Sequence, residues 1–252
     1  MEAAAYDEMR ALEDRHWWFR ARRARLAPLM REAVEAARAR TSLDIGCGTG
    51  ANLAQAEELF PALTRIGLDR EPGALAYCAG RSLNALLACA DGTRLPLRDG
   101  SIDCVFAFDI IEHFERDDLL LAELRRVLRP GGQLVASVPS FPSLWSPHDE
   151  FLHHKRRYRR GELERKLRAA GFRVERRRAF NFLLLPPIAL VRLARRWSGS
   201  RERAAHEQSS DFFELPRAFD LGFAALFALE GALLRVLPIT SGVSLHVRAS
   251  RS

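Results

Sequence analysis

The stretch Leu43-Asp44-Ile45-Gly46-Cys47-Gly48-Thr49-Gly50 constrains this chain more than any other. A short apolar run, Thr41–Ile45, stops at three glycines spaced two apart, and a helix-forming segment, Ala51–Leu59, follows. Glycines let a backbone reverse from strand to helix while it closely approaches a ligand. The helix then directs free N–H groups at that ligand, which favours a carboxylate or phosphate. Alone, the turn is weakly specific. Gly46-x-Gly48-x-x-Ala51 also satisfies the looser fingerprint of dinucleotide sites.

The segments beyond the turn narrow the fold. Thr64–Leu68, Ala85–Ala90, Ile102–Phe108 and Gln133–Val138 read as further strands, with helices from Pro72 and over 116–128. Pro130-Gly131-Gly132 reads as a helix stop. Strands alternating with helices imply an α/β fold, a mostly parallel sheet with helices on both faces. Right-handed crossovers then bring each strand's C-terminal end to one edge. The glycine turn, Asp69, Asp91 and Asp109 all fall at that edge, where open α/β sheets bind their ligands.

Three carboxylates discriminate between ligands. Asp44, just before the first glycine, can pair with an amino acid's ammonium but would repel a pyrophosphate. Asp69 falls 19 residues after Gly50 and can accept from two ribose hydroxyls, as it would in a nicotinamide enzyme. Asp91-Gly92 can offer a carboxylate to an adenine amine. An adenosyl amino acid satisfies all three. The plainer role for each aspartate is a helix N-cap, and for Asp109 the two readings weigh about equally.

The runs LDIGCGTGANL, IGLD, ACADGTRLPLRDGSIDCVFAFDIIEHF and LRPGGQLVASVP resemble, in order and spacing, the motifs of class I S-adenosylmethionine-dependent methyltransferases of the type 11 group. They cover about residues 41–139. The resemblance implies a Rossmann-like sheet of seven strands whose last strand, here Val243–Ala249, is antiparallel. It implies S-adenosylmethionine as cofactor. Asp44 and Gly46 would hold its methionine end, with Cys47, Gly48 and Gly50 completing the turn. Asp69 would hold the ribose, with Arg70 a further cofactor contact, Asp91 and Gly92 the adenine, and Phe108, Asp109 and Ile110 would line the methionine side.

A sulfonium donor is already activated, so such an enzyme can act mainly by positioning. A base is needed only for a hydroxyl or a protonated amine. The motifs therefore name the donor and not the acceptor. Residues 1–40 read as an N-terminal helical lid, with Tyr6, His16, Trp17 and Trp18 as acceptor contacts, ahead of a catalytic domain over 41–252. The loop 140–160 leaves the ligand edge and carries Trp145, His148, His154, Arg157 and Tyr158. His154 and His148 are the candidate bases and His113 a lesser one; a lone His is more often structural. Aromatic packing between helices is an equal reading of the tryptophans. The HWWF and HxKRRY segments resemble a bacterial subgroup of these enzymes.

An apolar insertion over 182–240 contains two helices, Phe182–Trp197 and Pro216–Leu237, around a polar linker, Ser198–Ser210. Asp220, Glu230 and Arg235 interrupt the second. Core packing is the plainer reading. Partial immersion in a membrane surface, flanked by Arg192, Arg195 and Arg196, is the sharper one.

Charge bears on the partner. The net charge is +7, and Lys155–Arg178 alone holds twelve Lys/Arg against three Glu. Such a run is usually a solvated face but also attracts anions. The fourth strand ends in Phe108-Asp109-Ile110-Ile111 rather than the Asn/Asp-Pro-Pro-Tyr/Phe of amino-group nucleic-acid methylases. A small-molecule or lipid-like acceptor is therefore expected ahead of nucleic acid. An RNA or protein methyltransferase and a non-catalytic cofactor-binding module are the alternatives. The four cysteines form no CxxC pair and no zinc-type spacing. They read as free thiols of a reducing, cytoplasmic compartment, with no metal site expected. No signal peptide and no membrane-spanning run is visible.

Overall fold

The computed structural model describes residues 3–197, 217–237 and 239–252. The strands are β1 (Thr41–Ile45), β2 (Thr64–Asp69), β3 (Ala85–Cys89), β4 (Ile102–Phe108), β5 (Leu128–Pro139), β6 (Phe172–Phe180) and β7 (Ser244–Arg251). They form one sheet in the order β3-β2-β1-β4-β5-β7-β6. The first five pair in parallel. β7 runs antiparallel between β5 and β6. This is the expected Rossmann-like, seven-stranded sheet with an antiparallel last strand. The strand order reverses between β1 and β4, where such sheets open a crevice.

The helices are α1 (Ala3–Leu12), α2 (Trp17–Ala37), α3 (Ala51–Leu59), α4 (Pro72–Ala79), α5 (Asp117–Val127), α6 (Pro147–Phe151), α7 (Glu162–Ala169), α8 (Leu185–Trp197) and α9 (Arg217–Val236). β4 shows how they cover both faces. Its side chains alternate, as strand geometry requires. Val105 and Ala107 join Leu120, Leu121, Leu124 and Val127 of α5 in one core. Cys104, Phe106 and Phe108 join Leu26, Leu29, Met30 and Ala33 of α2 in another. Each fully buried Leu contributes about 1.5–3 kcal/mol, so these layers fix the sheet edge that carries the site.

Two local expectations need correction. β5 begins at Leu128, directly after α5, not at Gln133. Pro130 and Gly131 sit in an irregularity where partners of Ile102 and Cys104 jump from Leu128 to Gln133. Gly131 has φ 75°, and Arg129 reaches across to Asp103 at 2.5 Å. A bulge, rather than a loop, absorbs the turn signal. His16 caps α2, its ring accepting from the Trp18 N–H at 3.3 Å. The loop 140–160 contains α6, opened by a capping box between Ser146 and Asp149.

The insertion forms α8 and α9. Pro216 and the linker Ser198–Ser210 lie outside the described residues, as do the side chains of Arg195, Arg196, Asp220 and Arg235. Glu230, buried in α9, accepts from the backbone N–H groups of Asn181 (2.7 Å), Phe182 (2.8 Å) and Leu183 (3.1 Å). This explains a carboxylate in an apolar helix: it satisfies the open donors of the β6–α8 turn. Among the described residues, no helix is long and apolar enough to cross a membrane. Cys47, Cys78 and Cys104 are buried thiols, and Cys89 is an exposed one.

Candidate active site

A cavity of about 780 Å³ opens at the C-terminal edge of the sheet. The glycine turn, the Asp69–Glu71 segment, Phe108–Ile110 and the start of α2 wall one end. Glu112, His113, His148, His154 and Arg157 wall the other, and Leu184, Ile188 and Val191 add an apolar side.

The glycine turn is held open by its backbone. Gly46, Gly48 and Gly50 have φ 69°, 53° and 86°. A Cβ at Gly46 would come within 2.6 Å of the Ile110 side chain, so only glycine lets the turn lie against β4's end. Gly46 and Cys47 donate to the Leu68 carbonyl at 2.8 and 3.1 Å. Asp69 accepts from the N–H groups of Gly48 (2.8 Å) and Glu71 (2.9 Å). Its carboxylate is thus fixed on the cavity wall with lone pairs to spare for a diol.

Asp44 lies behind this wall rather than on it. It is buried, and neither carboxylate oxygen has a partner among the described residues. Burial pushes its carboxyl well above the usual range. An orphaned buried carboxylate is costly without a cation, which fits the ammonium of an amino-acid ligand. Cys47 lies on the wall; its hydrogen bond with Cys78, with burial added, raises its thiol.

Asp91 and Asp109 differ from this pattern. Asp91 is exposed, accepts from the Thr93 N–H (2.8 Å) and hydroxyl (2.7 Å), and leaves the wall to Ala90 and Gly92. Asp109 accepts from the Ser137 hydroxyl at 2.8 Å and pairs with Arg22 at 2.6 Å. It thereby latches α2 to the end of β4. Arg22 also donates to Asn52 (3.2 Å) and lies over the Trp18 and Phe108 rings. Further out, Glu13 pairs with the Thr49 hydroxyl and with Arg81. The buried Tyr6 ring lies beside Gly48. Arg70 and the His16, Trp17 and Trp18 cluster also reach the wall. Trp17 stacks on Phe223 at 4.5 Å and Phe227 at 5.4 Å of α9, so its role includes helix packing.

The other end is built on Asp149, which is fully buried. One oxygen accepts from the Ser146 N–H at 2.9 Å. The other accepts from Arg157 Nε at 2.7 Å and faces His154 Nδ1 at 3.0 Å. Burial alone would raise the Asp149 carboxyl, but the His154 hydrogen bond and the Arg157 charge hold it well below the usual range. An ionised carboxylate can only accept. Nδ1 therefore carries a proton, and Nε2 lies 3.8 Å from Glu112 Oε1. Glu112 is fully buried with neither oxygen partnered among the described residues. The His113 and His154 rings meet edge to face at 4.9 Å. Burial pushes His113 down to about 3, so its ring is neutral.

Two acceptor candidates do not reach the cavity. Tyr158 is a core residue whose hydroxyl donates to Asp117 at 2.8 Å. Trp145 donates to Glu150 at 3.1 Å. Arg157 reaches the wall but is committed to Asp149 and, at 3.3 Å, to the Ser140 carbonyl. Sequence reasoning missed Glu112, Asp149, Arg22 and Glu13 as site residues. Only Asp149 had a local signal, the Ser146-x-x-Asp149 capping box.

Residues 43–136 match a family model described as a methyltransferase domain. A mouse (Mus musculus) tRNA (carboxymethyluridine(34)-5-O)-methyltransferase is 36% identical over 122 residues, 47% of this chain and 17% of that one. A malonyl-[acyl-carrier protein] O-methyltransferase of Methylococcus capsulatus is 32% identical over 139 residues, 52% of this chain and 50% of that one. The chain thus spans less than two thirds of these relatives' length. The crystal structure of an S-adenosylmethionine-dependent methyltransferase from Mesorhizobium loti shares the fold, with TM-score 0.60 and 18% identity over 95% of this chain and all of that one. Residues 43–136 thus form a methyltransferase domain similar to those of S-adenosylmethionine-dependent methyltransferases, and S-adenosylmethionine is the cofactor of that domain.

Proposed function

We propose that the chain transfers the methyl group of S-adenosylmethionine to an oxygen of a small-molecule or lipid-like acceptor. The observation that carries this is one cavity with two chemically distinct ends. At the donor end, Asp69 accepts from the ribose hydroxyls and Asp44 draws the ammonium. The glycine turn lets the methionine chain approach the backbone. Ala90–Gly92 flank the adenine, with Asp91 at its rim. The helices over 1–40 act as a lid, bolted down by Arg22–Asp109 and Glu13–Thr49. At the acceptor end, Glu112 and His154 offer lone pairs to a hydroxyl, and the apolar residues of α8 accept its carbon body.

Two observations support oxygen over other acceptors. The relatives above are both named for O-methyl transfer, and the acceptor wall is rich in hydrogen-bond acceptors. An RNA acceptor is the second reading, favoured by the tRNA enzyme's similarity. Against it, much of the basic run is committed inside the protein. Lys166 pairs with Asp117 at 2.7 Å, Arg177 with Glu164 at 2.8 Å and Arg178 with Glu32 at 2.8 Å. Incubating the purified chain and cell extract with methyl-labelled donor should place label in the lipid or small-molecule fraction. Label confined to RNA would select the second reading, and no label anywhere would sink both.

A further inference from the structure

Glu112, His113 and His154 bring one ligand atom each to within 4.8 Å of one another on the acceptor wall. Two independent features suggest that this meeting is more than incidental. First, the Glu112 carboxylate is fully buried and unpartnered among the described residues. Such a group is costly unless something satisfies it. Second, the His154 imidazole is already oriented from behind. His154 turns Nδ1–H to Asp149, itself pinned by Arg157 and Ser146. Histidines that ligate metals donate their second ring nitrogen to a carboxylate or a backbone carbonyl in this way.

We propose that Glu112, His113 and His154 bind a divalent transition-metal ion whose open positions face the cavity. Two imidazoles and one carboxylate suit zinc, iron, manganese or cobalt, whereas magnesium prefers oxygen ligands. The inference rests on the methyl-transfer reading and adds the chemistry of its acceptor end. A hydroxyl bound at the ion loses its proton to solvent at neutral pH. Its oxygen then forms the C–O bond as the methyl C–S bond breaks, leaving a neutral thioether. His154 holds the ion in this scheme and does not itself take the proton.

The test loads the purified full chain with Co²⁺, removes excess by dialysis, and reads bound metal and visible absorption alongside S-adenosylhomocysteine binding by calorimetry. About one equivalent of cobalt with ligand-field bands is expected. Glu112→Gln and His154→Asn should lose it, and Asp149→Asn should weaken it about 10- to 100-fold. Cys89→Ser should keep it. All four variants should still bind S-adenosylhomocysteine, which shows that they are folded. Cobalt absent from the wild type, or retained equally by Glu112→Gln and His154→Asn, overturns the metal site. If S-adenosylhomocysteine binds in that case, the donor reading stands alone and His154 reverts to a base. If it does not bind, the donor reading falls as well.

Discussion

Gly46 shows how tightly single residues set the donor end. Its φ of 69° disfavours any side chain, and a Cβ there would overlap Ile110 at 2.6 Å. Gly46→Ala should weaken S-adenosylhomocysteine binding by at least about tenfold, since a left-handed alanine alone costs about 1–2 kcal/mol. Calorimetry on the folded variant checks this. Asp103 makes a pH-dependent contribution. Burial would raise its carboxyl, but Arg129, the N–H groups of Arg40 and Thr41, and the Thr41 hydroxyl together lower it. A carboxyl lower in the folded state stabilises the protein above its unfolded pKa, and that stability is lost as pH falls through the folded value. Asp103→Asn should therefore cost about 1–2 kcal/mol at pH 7, with the deficit shrinking below about pH 4. Urea denaturation at the two pH values measures it. A deficit that is equal at both would contradict the assignment.

At the scale of elements, β1, β2, β3, β4 and α3 stand where the sequence places them, because each carries its own periodicity and stop signal. The start of β5 was not readable, since Pro130-Gly131-Gly132 punctuates a helix end and a bulge alike. The donor edge was readable for a similar reason: its residues sit at strand ends within one run, 43–92. The acceptor wall was readable only in part: His113, His148, His154 and Arg157 stand out singly, without Glu112 and Asp149. Glu112 and His113 reach it from the turn after β4, and Asp149, His154 and Arg157 from a loop after β5, so no spacing announces the cluster. Glu230 illustrates an element held from a distance. Glu230→Ala leaves three backbone donors of the β6–α8 turn without their acceptor. A loss of about 2–4 kcal/mol is expected, read as a lower denaturation midpoint. A change within experimental error would mean that the turn finds other acceptors.

At the scale of the whole molecule, one cavity joins the sheet edge that carries the glycine turn to a wall supplied by the loop after β5 and by the insertion. Leu190 and Val191 are exposed on α8, and Leu229 and Val236 on α9, on the insertion that also supplies the cavity's apolar side. These side chains would meet a bilayer surface if the acceptor is lipid-like. The chain should then float with anionic liposomes at low salt, and Leu190→Ser with Val191→Ser should reduce flotation without affecting S-adenosylhomocysteine binding. Wild-type protein that stays at the bottom of the gradient would detach the lipid idea from the fold.

The central claim is that the glycine turn and Asp69 hold an adenosyl amino acid. Calorimetry with S-adenosylmethionine, S-adenosylhomocysteine and NAD tests it most directly. Both sulfur ligands should bind the wild type, NAD should not compete, and Asp69→Ala should lose about 100-fold in affinity or more, the equivalent of two charge-assisted hydrogen bonds. Preferential binding of NAD, or an Asp69→Ala variant that binds as the wild type does, would contradict the account.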